Sequence, residues 1–228
     1  MTDSSSADSA GDVLALSWSG GKDATMSLRT LEGDGRRVAA LLSTFGADGR
    51  SSGHGVRREL LEAQAHALGI PLATVQFPDP CPNDVYEATI AAAFERPPLA
   101  GLGEMAFGDL FLEDHRAYRT QQLAKSGWTS SFPIWRLDTD ALAREVIDAG
   151  IRAVLVAVDL NVLDESFLGR TFDQALLDDL PDGADPCAEV GEFHTFVTHN
   201  PRFTHPIPVR TGEVTRRGTI AFLDLLPA

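Results

Sequence analysis

Residues 19–23, Ser-Gly-Gly-Lys-Asp, follow the apolar run Leu14 to Trp18 and precede an amphipathic segment, Ala24 to Leu31. Two glycines between a strand and a helix let backbone amides converge on an anion, because neither has a Cβ, and the helix start adds partial positive charge. In this reading Ser17, Ser19, Gly20, Gly21 and Lys22 hold phosphate oxygens. Asp23 either holds Mg2+ or fixes the loop by accepting backbone amides, and a plain helix-starting carboxylate is the alternative. The Walker A loop needs a glycine five positions before its Gly-Lys pair and Ser or Thr after the lysine. Those positions are Leu16 and Asp23, so Walker A is excluded.

Three further strings carry chemistry-bearing side chains: Gly53-His54-Gly55-Val56; Phe107-Gly108-Asp109-Leu110-Phe111-Leu112-Glu113-Asp114-His115-Arg116; and Glu189-Val190-Gly191-Glu192-Phe193-His194-Thr195. His54 precedes a helical segment and either touches a ligand or caps that helix. Asp109 follows a short apolar run, where its carboxylate can bind Mg2+, position ammonium or pair with Arg116. Glu113 and Arg116 share a helix face if the helix starts at Glu113, and a surface ion pair is the alternative for both. Glu192 and His194 share one face of an extended run, with a solvated edge strand as the alternative. Asp159 and Asn161 are natural additions to the same crevice, without a motif of their own.

Periodicity places these residues on an α/β frame. Strands are expected at Val13 to Trp18, Val38 to Thr44, Leu72 to Phe77 and Met105 to Phe107, alternating with helices at Asp23 to Glu32, Val56 to Leu68 and Asp84 to Glu95. Gly33-Asp-Gly35 and Gly69-Ile-Pro71 are helix stop signals. A helix at His115 to Ser126 leads to a domain boundary in Gly127 to Pro133. Beyond it come a helix at Thr139 to Ala149, a buried strand at Ala153 to Val158 and a helix around Phe172 to Leu180. From Glu192 onward the reading is short strands and loops. The expected domains are a disordered tail at 1–12, a nucleotide domain at 13–132 and a C-terminal acceptor domain at 133–228. Ligands of such parallel sheets sit at the carboxyl ends of the strands, where the glycine loop falls. The string Gly101-x-Gly103-x-x-Ala106 precedes a strand instead of following one, which removes it as a dinucleotide fingerprint.

Composition narrows the function classes. The 228 residues are 43% hydrophobic, enough for one large or two small cores, and no apolar run approaches the roughly 20 residues of a membrane span. The net charge of −14 opposes a nucleic-acid footprint. Cys81 and Cys187 lack the spacing of zinc ligands or a redox pair. A reduced, cytoplasmic setting is expected, and the sequence leaves open whether the chain forms a homo-oligomer.

The glycine loop resembles the Ser-Gly-Gly-x-Asp-Ser motif of PP-loop ATP pyrophosphatases, and the four strings together, in this order, resemble the diphthine ammonia ligase (diphthamide synthase) family over residues 13 to 205. The resemblance implies a HUP-type (adenine nucleotide alpha hydrolase-like) parallel sheet with a smaller C-terminal α+β domain. It also implies ATP, Mg2+, ammonia and a carboxylate-bearing acceptor. The carboxylate would attack the α phosphate, pyrophosphate would leave, and ammonia would displace AMP. Thr44 and Phe45, with His54 and Gly108, would then belong to the nucleotide site, Phe45 being core in the alternative reading. Lys22, Asp109, Glu189, Glu192 and His194 would carry the chemistry. Ala24 stands where the loop motif carries a hydroxyl residue, and Val190 and His194 depart from the family in the presumed acceptor region. A nucleotide-binding regulatory protein of HUP architecture, holding ATP or AMP without turnover, is the competing function.

Overall fold

A computed structural model describes residues 12–228. The expected tail, 1–12, lies outside the described residues except for Asp12. Five strands form a parallel sheet in the order β3-β2-β1-β4-β5: β1 (Val13–Ser17), β2 (Arg37–Phe45), β3 (Leu72–Gln76), β4 (Glu104–Ala106) and β5 (Thr129–Ser131). The strand order reverses direction between β1 and β4, and such a switch point opens a crevice at the strands' carboxyl ends. The helices between them are α1 (Lys22–Gly33), α2 (Arg58–Leu68), α3 (Asn83–Phe94) and α4 (Glu113–Ala124). Helix α2 stops at Gly69, which takes the left-handed conformation at φ 70° that its stop signal implied.

After β5 come α5 (Thr139–Asp148), β6 (Arg152–Asp159), a short 3-10 turn, α6 (Gln174–Asp178), β7 (Phe193–His199), β8 (Val209–Arg217) and β9 (Ile220–Pro227). The last four strands make a separate antiparallel sheet in the order β7-β6-β9-β8. The architecture is thus α/β, a helix-flanked parallel sheet with a second C-terminal sheet, as expected.

Two elements differ from the sequence reading. The stretch 127–133, read as a boundary, contains β5, which pairs with β4 as the fifth parallel strand. Three residues carry too little alternation to be read as a strand. The tail read as short strands and loops ends in the β8–β9 hairpin, turned by Gly218 at φ 62° and Thr219. Of its prolines, Pro201, Pro206 and Pro208 fall before the hairpin and Pro227 ends β9, while the pairing shifts register between Thr211 and Val214.

The parallel sheet has a hydrophobic cluster on each face. One joins α1 and α2 to the second sheet, through Leu28, Leu31, Leu61, Leu155 and Phe196. The other lies under α3 and α4, with Leu42, Phe94, Met105, Phe107 and Trp128. The loop of residues 19–23 therefore meets the second sheet, whereas the α3–α4 face stays free of it. No helix among the described residues is long and apolar enough to cross a membrane.

Candidate active site

The glycine loop runs from the end of β1 into α1 and is held from three sides. Gly20 has φ 78°, and a Cβ there would lie 2.4 Å from Leu61 Cδ2, so both conformation and space demand glycine. Its carbonyl accepts from Val197 N of β7 at 2.8 Å and from Gln64 Nε2 at 3.1 Å. Gly21 N donates to Ser19 Oγ at 3.3 Å, Lys22 N donates to Thr195 Oγ1 at 3.1 Å, and Thr25 Oγ1 donates back to Gly21 O at 2.9 Å. Thr25 therefore does not replace the hydroxyl missing at Ala24. Gly108 packs against the start of α1, where a Cβ would lie 3.1 Å from the Asp23 carbonyl carbon.

Lys22, read as a cation that holds phosphate oxygens, is engaged inside the protein. It is 1% exposed, and its Nζ donates to Cys187 O at 2.5 Å and to Asp23 Oδ2 at 3.0 Å, 5.3 Å from the centre of the Phe193 ring. The segment leading into β7 folds over the loop and supplies this carbonyl. Burial disfavours the charge on Lys22, but Asp23 and the acidic groups beyond it outweigh burial and the pKa is raised.

His54 Nδ1 lies 3.2 Å from Thr195 O, a contact that requires Nδ1 to carry the proton and leaves Nε2 as an acceptor. The His54 and His194 rings meet at 4.4 Å between centroids. Burial, joined by the Lys22 cation, lowers the His54 pKa to about 4, and burial with His54 and Lys22 lowers His194 to about 3. Glu189 Oε1 accepts from Leu110 N at 2.7 Å and Phe111 N at 3.1 Å, tying the last string to the strand end that carries Asp109. Burial lifts the Glu189 pKa against the pull of those two amides, with Asp109 and Asp23 adding to the rise.

Asp109 pairs with Arg119, and not with Arg116, which was one of the three roles open to it. Arg119 Nε lies 3.1 Å from Oδ1 and 2.9 Å from Oδ2, and His115 Nδ1 is 4.0 Å away. Arg116 instead lies over the Trp135 and Phe132 rings, at 4.8 and 5.5 Å, and 4.0 Å from Glu113. Glu192 is buried, its Oε1 accepting from Asp185 N at 3.1 Å. Phe45 is fully buried under the Arg58 guanidinium, and its carbonyl accepts from Phe77 N at 2.8 Å, so its side chain is core.

Ser17 and Thr44 open onto the other face of the sheet, into a cavity of about 480 Å3 between α3 and α4. Leu42, Met105, Phe107 and Phe94 form its apolar floor. Apart from Phe45 in the core, Asp109 at Arg119 and Glu192 at Asp185, the predicted residues fall into two groups: the loop with Asp23, His54, Gly108, Glu189 and His194 on the side of the second sheet, and Ser17 with Thr44 in the cavity.

Gln64 and Arg119 were not legible in advance. Gln64 is fully buried, accepts from Trp18 Nε1 at 2.9 Å and donates to Gly20 O and Val197 O. Its signal was a lone amide in the helical stripe Leu60, Leu61, Gln64, Ala65, Leu68, a position where a buried polar group needs a partner. Among the described residues no three His, Cys, Asp or Glu side chains converge on one metal position. Asp23 Oδ1 is buried without a partner, however, and a hard carboxylate oxygen of this kind suits Mg2+, which takes one or two carboxylates and completes its shell with phosphate and water.

A parallel sheet with a glycine loop after its first strand, and a second sheet closed over that loop, defines an α/β protein of the HUP-type nucleotide-binding architecture. Residues 138–226 match the diphthamide synthase C-terminal domain family. The chain is also 25% identical over 231 residues to the diphthine–ammonia ligase of Homo sapiens, a match covering 90% of this chain and 85% of that protein. Both comparisons bear out the resemblance to the diphthine ammonia ligase family carried by the four strings.

Proposed function

We propose that the chain is an ATP-dependent ligase that activates a carboxylate by adenylation and transfers the acyl group to ammonia. The observation that carries this reading is the glycine loop, opening α1 at the switch point and bordered by Glu189, His54 and His194. The similarity to a diphthine–ammonia ligase supports the same reaction class. The acceptor carboxylate attacks the α phosphorus and the α–β phosphate bond breaks. Ammonia then adds to the acyl carbon, loses a proton and expels AMP.

Each step has a group suited to it. Lys22, exchanging the Cys187 carbonyl for phosphate oxygens, neutralises the departing pyrophosphate at the start of α1. Mg2+ held through Asp23 Oδ1 and phosphate oxygens would add to that charge neutralisation. Neutral His54, its Nδ1 proton committed to Thr195 O, offers Nε2 to a proton leaving the attacking nitrogen. Adenosine fits the apolar α3–α4 cavity beside Ser17 and Thr44, at the carboxyl ends of β1 and β2.

A second reading, a nucleotide-binding regulator without turnover, draws on the internal engagement of Lys22 and on Ala24. Nucleotide product analysis separates the two. Incubation with ATP, Mg2+, ammonium and a desalted extract should yield AMP and pyrophosphate from the native chain. It should yield neither from Lys22→Met, a variant that keeps an aliphatic stem against Phe172 and Phe193. Intact ATP despite measurable binding would favour the regulator.

A further inference from the structure

Helix α4 is exposed along nearly its whole length, with Leu123 its one buried residue. A helix so polar is held by something other than apolar packing. Arg119 supplies one such hold: its guanidinium lies 4.5 Å over the Phe107 ring while Nε meets the buried carboxylate of Asp109. Both Arg119 and Phe107 line the α3–α4 cavity.

The manner of this pairing is informative. An arginine that serves only to neutralise a buried carboxylate gains most by presenting two parallel N–H groups to it. Arg119 spends only its Nε edge on Asp109, and both Nη groups remain without a partner among the described residues. The plane is fixed by Phe107 and the edge by Asp109, and the side chain, 38% exposed, keeps its fork open to solvent on a cavity wall. Asp109 directly follows Gly108, which packs on the start of α1.

We infer that Arg119 is an oxyanion-binding residue of this cavity and grips the phosphate of a nucleoside monophosphate unit, with Asp109 as its positioning partner. The inference rests on the nucleotide reading above and assigns a role to a residue outside the four strings' loop and acceptor groups. A planar base would lie on the apolar floor, and the phosphate would take Nη donors already oriented for it, at little further entropic cost.

Titration calorimetry with adenosine and with AMP, on the native chain and on Arg119→Gln and Arg119→Lys, tests it. The native chain should bind AMP more tightly than adenosine. Arg119→Gln should weaken AMP at least about tenfold, the loss of a charge-assisted hydrogen bond, and leave adenosine unchanged. Arg119→Lys keeps a cation beside Asp109 and guards against a folding defect; it should lose part of the same preference. Equal weakening of both ligands would make Arg119 a structural wall residue and overturn the inference. So would an AMP preference that survives both substitutions, which would leave the fork to an acceptor carboxylate. Native chain that binds neither ligand would instead overturn the nucleotide reading, and the inference with it.

Discussion

His54 and His194 lie ring against ring beside a buried cation, and each is held neutral well below the ordinary imidazole value. Their folded pKa values, about 4 and about 3, lie under the ordinary imidazole value of 6.5, so the unfolded chain binds more protons across this interval. Stability from this pair is complete above pH 6.5 and declines as pH falls toward 4. Urea midpoints should therefore drop between pH 7 and pH 4.5, and His194→Gln should flatten that slope. The loop residues were legible because the local chain dictates their work: glycines where a turn must be tight, and a lysine at a helix start. The partners of Lys22 were not. Its Nζ meets a carbonyl 165 positions away and its backbone amide a hydroxyl 173 positions away, separations no local pattern encodes. Asp109 shows the same limit, since Arg116 and Arg119 are both within helical reach and only the packing of α4 selects between them.

The segment carrying His54 is pinned at the level of elements. Asp224 on β9 bonds Arg57 Nε at 3.0 Å and Nη2 at 2.8 Å, and also receives Arg50. Gly55 lies so near Phe222 that a Cβ would approach its ring to 2.8 Å. Burial works to raise the Asp224 pKa, but Arg57 and Arg50 outweigh it and hold the carboxyl well below the usual range. This contribution is fully present above about pH 4 and fades as acid protonates the group, a lower window than that of the histidines. Asp224→Asn should cost about 1–3 kcal/mol in urea unfolding and raise amide exchange most in residues 50–57. Long periodic elements such as α1, α2 and β6 were readable because their apolar stripes match their buried faces. The β8–β9 hairpin was not, since β8 is an exposed edge strand whose polar residues give no alternation, and only its pairing with β9 makes it a strand.

The whole molecule is organised around one junction, where the second sheet meets the loop of the first. Gln64 stands at its centre, bonded to Trp18, Gly20 and Val197, so one amide joins the residue after β1, the loop and β7. Gln64→Leu would keep volume but strand the Trp18 indole N–H and the Val197 carbonyl. It should lower stability by about 2–4 kcal/mol and weaken ATP binding, read by urea unfolding and calorimetry. A Gln64→Leu chain as stable as the native one would show that packing and the remaining loop-to-β7 hydrogen bonds join the sheets without this amide. The layer architecture followed from alternating patterns, whereas the face of the first sheet that the second one covers depends on contacts between segments far apart in sequence. The chain's two lysines occupy opposite situations at this junction and away from it. Lys22 is sealed inside, while Lys125 is 47% exposed on the rim of the α3–α4 cavity. Among side chains, amine-directed labelling thus sees almost a single-lysine protein: a dye on Lys125 sits where cavity occupancy can alter its emission, and slow acylation of Lys22 counts each opening of the sheet-to-loop contact.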